Sequence, residues 1–244
     1  MATMNNQVIL YDDSCPMCRL YTGAFVRCGI MDADGRVAFS KAPPAVRGRL
    51  DLERARREIP LCDLATGQVR YGLDALFYVL GERFPAFGRL LRIRAIKAFW
   101  TPVYFWISFN RRMLAGCPPP TDGLDCGPPL HRGFWLALLA VAALASWGAV
   151  RASGAALGHP AATAAVLAGL PLVWWIAGSL RKRSMDAAFQ GAGSAASAAL
   201  ATSVFLLLGL LIPGTVAARV VHGLAALLLV YELHRRSWMF RTQG

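Results

Sequence analysis

The sequence is short of charge, and shortest of acid. Asp and Glu number 14 among 244 residues and all charged residues make up 16%, against about 25% in an ordinary globular chain. A chain so poor in charge does not read as disordered, nor as a solvated tail that binds nucleic acid. Cysteine is sparse too: six residues are too few for a disulfide scaffold at this length. A signal peptide is not expected, because Gln7–Tyr11 is a short apolar run with no basic region before it. What the sequence has in excess is apolar surface and positive charge. Hydrophobic residues reach 56%, the mean hydropathy is +0.43 and the net charge is +12. That combination points to a membrane protein with basic cytoplasmic edges.

The averages hide a break near residue 133. Residues 1–132 hold 18 Lys and Arg and 12 Asp and Glu, while residues 133–244 hold 8 and 2. All six cysteines lie in the first part. The join, residues 116–132, is rich in Pro and Gly (Gly116-Cys117-Pro118-Pro119-Pro120, then Gly127-Pro128-Pro129) and reads as a linker. Beyond it, long uncharged stretches predict four membrane spans at about 133–150, 160–180, 194–212 and 216–233. The fourth is the weakest, with Arg219 and Glu232 near its ends. His159-Pro160 marks a turn before the second span, and Pro213-Gly214 closes the third. The basic clusters are Arg181-Lys182-Arg183 and Arg235, Arg236 and Arg241, while Arg151 and Arg219 stand alone. Clusters on one side and lone arginines on the other predict both termini in the cytoplasm.

The chemistry is concentrated near the start, in Val8-Ile9-Leu10-Tyr11-Asp12-Asp13-Ser14-Cys15-Pro16-Met17-Cys18. A buried strand is expected at Val8–Tyr11, and a helix after it with Pro16 in its first turn. Cys15 then sits at a helix N-terminus, where unpaired N–H groups and the helix dipole stabilise a thiolate. Cys18, one turn on, can attack a mixed disulfide formed at Cys15. Asp12 either caps the helix or accepts a proton from Cys18. A lone Cys-x-x-Cys is also half of a zinc site, for which Cys28, Cys62, Cys117, Cys126 and His131 offer further ligands. Inert core cysteines are the third reading.

Further along, Val37–Ser40 reads as a strand and Pro44–Glu58 as a helix. Leu61–Ala65 and Gln68–Tyr71 read as a hairpin turning at Thr66-Gly67. Leu73–Leu80 and Ala86–Leu91 have helical spacing. The order matches a minimal thioredoxin or glutaredoxin core, in which a cis-proline faces the dithiol. Ile59-Pro60 stands at that place, so a cis bond before Pro60 is expected, a helix-stopping proline being the equal alternative. Ala98–Phe109, dense in aromatics and flanked by Arg and Lys, is the last helix of this domain, a helix at the membrane surface, or a fifth span.

With these residues the chain resembles the DCC family of thiol–disulfide oxidoreductases, named for an Asp-x-x-Cys-x-x-Cys pattern. Asp12, Cys15 and Cys18 carry that pattern here. Tyr71-Gly72-Leu73-Asp74-Ala75-Leu76 and Tyr104…Ile107…Asn110-Arg111 also look like the family. The resemblance covers residues 5–115 and implies a thioredoxin-like fold with a dithiol site at Cys15 and Cys18. It is silent on the helical half.

The expectation is therefore an α/β thioredoxin-like N-terminal domain (1–115), a linker (116–132) and an all-α four-helix transmembrane region (133–244). Its expected function is a membrane-anchored thiol–disulfide oxidoreductase acting through Cys15, Cys18, Asp12 and Pro60. It needs no cofactor or metal. Its partners are a protein or small-molecule disulfide or dithiol and the lipid bilayer, with no nucleic acid. Cys62, Cys117 and Cys126 are candidates for a minor redox role, and Cys28 reads as packing. The alternative function is a non-catalytic membrane adaptor or assembly factor that uses the fold as a docking surface; a zinc-stabilised binding module is a third.

Overall fold

The computed structural model describes residues 4, 6–116, 127–157, 163–181, 185–209, 211–212 and 215–237. The chain forms two compact units, Met1–His131 and Arg132–Gly244. Cys117, Cys126, His159-Pro160, Lys182-Arg183, Pro213-Gly214 and Arg241 lie outside the described residues.

In the first unit, β1 (Gln7–Tyr11) leads into α1 (Pro16–Arg27). The strand β2 (Arg36–Ala38) is followed by two single-turn helices, α2 (Pro44–Arg47) and α3 (Leu52–Ala55). The hairpin of β3 (Pro60–Asp63) and β4 (Val69–Tyr71) runs into α4 (Gly72–Arg83), α5 (Pro85–Leu91) and α6 (Arg94–Ala115). The sheet order is β2-β1-β3-β4, with β1 and β2 parallel and the other pairs antiparallel. β1 is an inner strand buried on both faces, which is why it reads as an unbroken apolar run. Val8 and Leu10 enter one core with Phe39, Val46, Cys62 and Tyr71. Ile9 points the other way, to Leu61, Ala75 and Val79, with Tyr21 and Phe25 of α1 packed against them.

The expected fold class is corrected. The chain is mostly helical, at 74%, with only this small mixed sheet, rather than a thioredoxin-like α/β domain followed by a four-helix transmembrane region. The strands are three to five residues long, while single helices run to 22, 26 and 25 residues. The segment expected as one helix over Pro44–Glu58 is broken: α2 ends at Gly48, and Asp51 starts α3 by accepting a hydrogen bond from the Arg54 N–H.

The second unit holds α7 (Arg132–Leu157), a π-turn at Ala165–Gly169, α8 (Leu170–Arg181), α9 (Met185–Gly209) and α10 (Thr215–Arg235). Among the described residues two helices are long and apolar enough to cross a membrane, at Arg132–Ser153 and Ala188–Gly209. Of the second expected span the described residues hold a shorter apolar helix, Val166–Ser179, which begins in the π-turn. In α10, Arg219 and Glu232 bracket a charge-free stretch, Val220–Tyr231, that is short for a crossing. The apolar window of α7 is only 17% buried, whereas that of α9 is 56% buried. So α9 is the inner helix. Its Ser197, Thr202 and Ser203 hydroxyls donate to carbonyls one turn back, and Ser203 also meets Ser146 of α7 at 3.2 Å.

α6 divides into two functional lengths. Ser108, Asn110, Arg111 and Met113 are buried, while Phe99 and Trp100 stand in solvent. The buried half is pinned to the chain before β3: Ser108 Oγ donates to the Arg57 carbonyl, and the Ile59 N–H donates to Tyr104 Oη at 3.1 Å. The Ile59 carbonyl accepts from the Gly72 N–H at 2.8 Å. Gly72 has φ +59°, and a Cβ there would lie 2.6 Å from a Glu58 carboxylate oxygen and 3.1 Å from the Tyr104 ring. Gly72→Ala is therefore expected to destabilise the first unit by about 1–3 kcal/mol. Thermal unfolding of the solubilised full chain checks this; an unchanged midpoint contradicts it.

Candidate functional site

The end of β1 turns sharply into α1, and Asp12 organises the turn. Its Oδ1 accepts from the Ser14 N–H at 3.0 Å and from the Ser14 hydroxyl at 2.6 Å. Its carbonyl accepts from the Cys15 N–H at 3.2 Å. This is an Asx turn, not a helix cap. Cys15 is itself the N-cap residue of α1, with an extended backbone, and Pro16 is the first helical residue. The sulfur of Cys15 thus lies where the helix dipole favours negative charge. Cys18 follows one turn later, its carbonyl accepting from Thr22 Oγ1 at 2.6 Å; Arg36 Nε in turn donates to that hydroxyl at 2.8 Å.

The two thiols pack together in one buried cluster and neither forms a disulfide. Both are buried: Cys15 is 0% exposed and Cys18 4%. A partly exposed attacking thiol, the simplest expectation for a redox site, is therefore not found. Tyr11, Met17, Tyr21 and Ala115 pack over the pair, and Tyr21 Oη donates to Cys18 Sγ at 3.9 Å. The hydrogen bond to Cys15, burial, and negative charge on Cys15 and Asp12 push the Cys18 thiol far above its usual range, with Arg111 opposing them. Burial likewise pushes the Tyr21 phenol up. Burial and the neighbouring negative charges thus disfavour the thiolate at Cys18.

The compensating cation comes from α6. Arg111 is buried, and its guanidinium lies 3.3 Å from Asp12 Oδ2. Burial works against its charge, but Cys18, Asp12 and Cys15 more than offset that and hold the guanidinium above its ordinary value. Arg111 is the residue that sequence reasoning placed in a motif but left without a role.

Pro60 opens β3 opposite Tyr71 and is fully buried. The cis bond expected before it is not present: among the described residues no peptide bond is cis. With the Ile59 N–H held by Tyr104 and its carbonyl by Gly72, the chain enters β3 as plain extended strand, and proline is tolerated at a first strand position. Pro60 does meet the site. With Cys18, Asp12, Arg111 and Leu10 it borders a cavity of about 10 Å³, no more than one water in size.

Among the described residues, the other two cysteines, Cys62 and Cys28, are not part of this cluster. Cys62 is buried with Val8, Leu10 and Tyr71, and Cys28 is exposed at the end of α1. Among the described residues no three His, Cys, Asp or Glu side chains lie together as metal ligands. A cavity of about 980 Å³ lies in the second unit between Trp135, Trp147, Trp175 and Phe189, and no ionisable side chain lines it. Comparison with protein-family models, curated proteins and solved structures finds no match to this chain.

Two outcomes follow from the burial. Brief alkylation of the native chain should label Cys28 first and leave Cys15, Cys18 and Cys62 largely unmodified until denaturant is added. Peptide mass spectrometry reads this directly, and labelling of Cys15 at the rate of Cys28 would contradict the closed site. Arg111→Met strands a buried carboxylate and should cost about 3–5 kcal/mol of stability, measured as a lowered unfolding midpoint. A melting curve matching the parent would contradict the ion pair.

Proposed function

We propose that the first unit performs thiol–disulfide exchange through Cys15 and Cys18, on a chain that the second unit anchors in a membrane. One observation carries the reading: two thiols packed together at the start of a helix, with a buried arginine paired to the aspartate of their turn. Structural core cysteines need neither the helix start nor the cation. The motif likeness to the DCC family supports the same assignment.

In the exchange, the Cys15 thiolate attacks one sulfur of a substrate disulfide. A Cys15–substrate disulfide forms and the other substrate sulfur leaves as thiolate. Cys18 gives up its proton, attacks Cys15 Sγ and expels the second substrate thiolate. The substrate gains two electrons and two protons, and Cys15 and Cys18 become a disulfide. With a substrate dithiol the same steps run in reverse. The step needs no cofactor, because both electrons pass between sulfur atoms. Arg111 stabilises the thiolate charge, and Asp12 positions Arg111 and the turn. The cover of Tyr11, Met17, Tyr21 and Ala115 must part for a substrate sulfur to reach Cys15.

The two helices of membrane-crossing length support a multi-pass anchor. An even number of crossings puts the first unit and the C-terminus on the same side. Arg111, Arg112 and Arg132 before α7, with Arg235, Arg236 and Arg241 at the other end, favour the cytoplasmic side for both.

The burial of both thiols favours a second reading, a non-catalytic membrane adaptor that keeps the fold as a docking surface. One experiment separates the two. The full chain, reconstituted in lipid, is assayed for reduction of insulin or glutathione disulfide as parent, Cys15→Ser and Cys18→Ser. Exchange predicts that Cys15→Ser falls to background and Cys18→Ser accumulates a trapped mixed disulfide at Cys15. Equal rates for all three, with nothing trapped, leave the adaptor.

A further inference from the structure

We propose that α5 and the first half of α6 form a docking face for anionic phospholipid, with a headgroup phosphate held beside Arg70, Arg92 and Lys97. Large apolar side chains on a soluble surface are normally scattered. Here Phe84, Phe87, Leu90, Ile93, Phe99 and Trp100 are all exposed within seventeen consecutive positions, Phe99 at 64%. On α6 the pattern continues at helical spacing through Ile96, Phe99, Trp100, Val103 and Ile107. That apolar stripe belongs to a helix whose other half is buried in the unit. A concentrated apolar patch of this kind marks an interaction surface.

Charge decides what the partner is. From Arg83 to Thr121 the sequence contains no Asp or Glu. Arg89, Arg92, Arg94 and Lys97 are exposed among the aromatic residues. The acids that face this region come from α4: Glu82, and Asp74, which lies 2.6 Å from Lys97. Rings that insert at headgroup depth, ringed by cations, are the chemistry of a helix resting on an anionic bilayer.

A cavity of about 440 Å³ opens at this face, lined by Arg70, Arg92, Lys97 and Asp74 with Phe77 and Tyr78. Three cations against one acid leave it electropositive. Arg70 stacks over the Tyr78 ring at 4.1 Å, and among the described residues its buried Nη1 has no hydrogen-bond partner. A phosphate oxygen supplies the acceptor that this N–H lacks. Apolar rings and a phosphate cradle side by side fit a lipid, whose tails and headgroup arrive together. A bilayer is also close along the sequence, since α7 begins sixteen residues after Gly116.

The test uses the full chain in lipid nanodiscs made of phosphatidylcholine alone or of phosphatidylcholine with phosphatidylglycerol. Hydroxyl-radical oxidation of Phe84, Phe87, Phe99 and Trp100 is compared with that of Leu20, which is exposed on α1. The expected result is a several-fold drop in oxidation of the four aromatic residues in anionic discs only, with Leu20 unchanged. Arg92→Gln with Lys97→Gln should restore oxidation, because losing two cations weakens docking about thirtyfold. Both substituted residues are exposed, so folding is preserved. Equal oxidation in both lipids overturns the proposal. So does protection that is already complete in neutral discs, which would mean cover by protein. Protection by inorganic phosphate alone in neutral discs would assign the cavity to free phosphate and overturn the lipid. Entry into discs reports the spanning helices separately. A chain that does not enter is scored by flotation with vesicles of the same two compositions, where the double variant must lose binding to anionic vesicles.

Discussion

The buried pair of Asp12 and Arg111 joins the two ends of the first unit. Asp12 closes β1, and Arg111 lies ninety-nine positions later in the last helix. Taking both charges out of water is costly, and only their mutual attraction and the hydrogen bonds around them make it tolerable. That demand has structural consequences. Asp12 must also hold the turn that delivers Cys15 to the start of α1, so one carboxylate serves both the ion pair and the turn. The second half of α6 must come down onto α1, which brings Ala115 over the thiols. The positive charge beside the sulfurs and one part of their cover, Ala115, are delivered by the same helix.

A second constraint keeps that helix in place. The peptide groups around Ile59 are gripped from both sides, by Tyr104 on α6 and by Gly72 at the start of α4. Gly72 has no side chain because Glu58 and Tyr104 occupy the space where one would be. Tyr71, its neighbour, is paired with Pro60 and accepts a hydrogen bond from the Asp51 N–H at 2.8 Å. Sequence motifs separated by thirty or more positions thus meet at one strand entrance. What looks like a set of independent signatures is one packing arrangement around Ile59 and Pro60.

The proposed functions draw on opposite ends of α6. Its second half faces the dithiol, and its first half exposes the aromatic and basic face assigned to lipid. On these two proposals, α6 is shared between the thiol site and the lipid-facing surface, which gives the two a mechanical connection. Any shift of α6 that uncovers Cys15 also moves Arg111, so access and thiolate stabilisation are not independent in this fold.

The sequence by itself determined the local chemistry. The apolar run of β1, Pro16 at the head of a helix and the three-position spacing from Cys15 to Cys18 depend on neighbours in the chain, and each sits where the pattern put it. The long uncharged stretches at α7 and α9 were legible for the same reason: composition over twenty residues decides whether a helix can cross a membrane. Tertiary structure decided the rest. The mostly helical balance came from the lengths of the helices, and the break at Gly48 from a cap at Asp51 that no periodicity marks. The trans bond at Pro60 came from distant hydrogen bonds to Ile59. Burial of the thiols came from Tyr11, Met17 and Tyr21 together with Ala115 of α6, and the role of Arg111 came from the same helix. Each of these depends on contacts between residues far apart in sequence, and local pattern holds no record of which distant groups will share the same low-dielectric space.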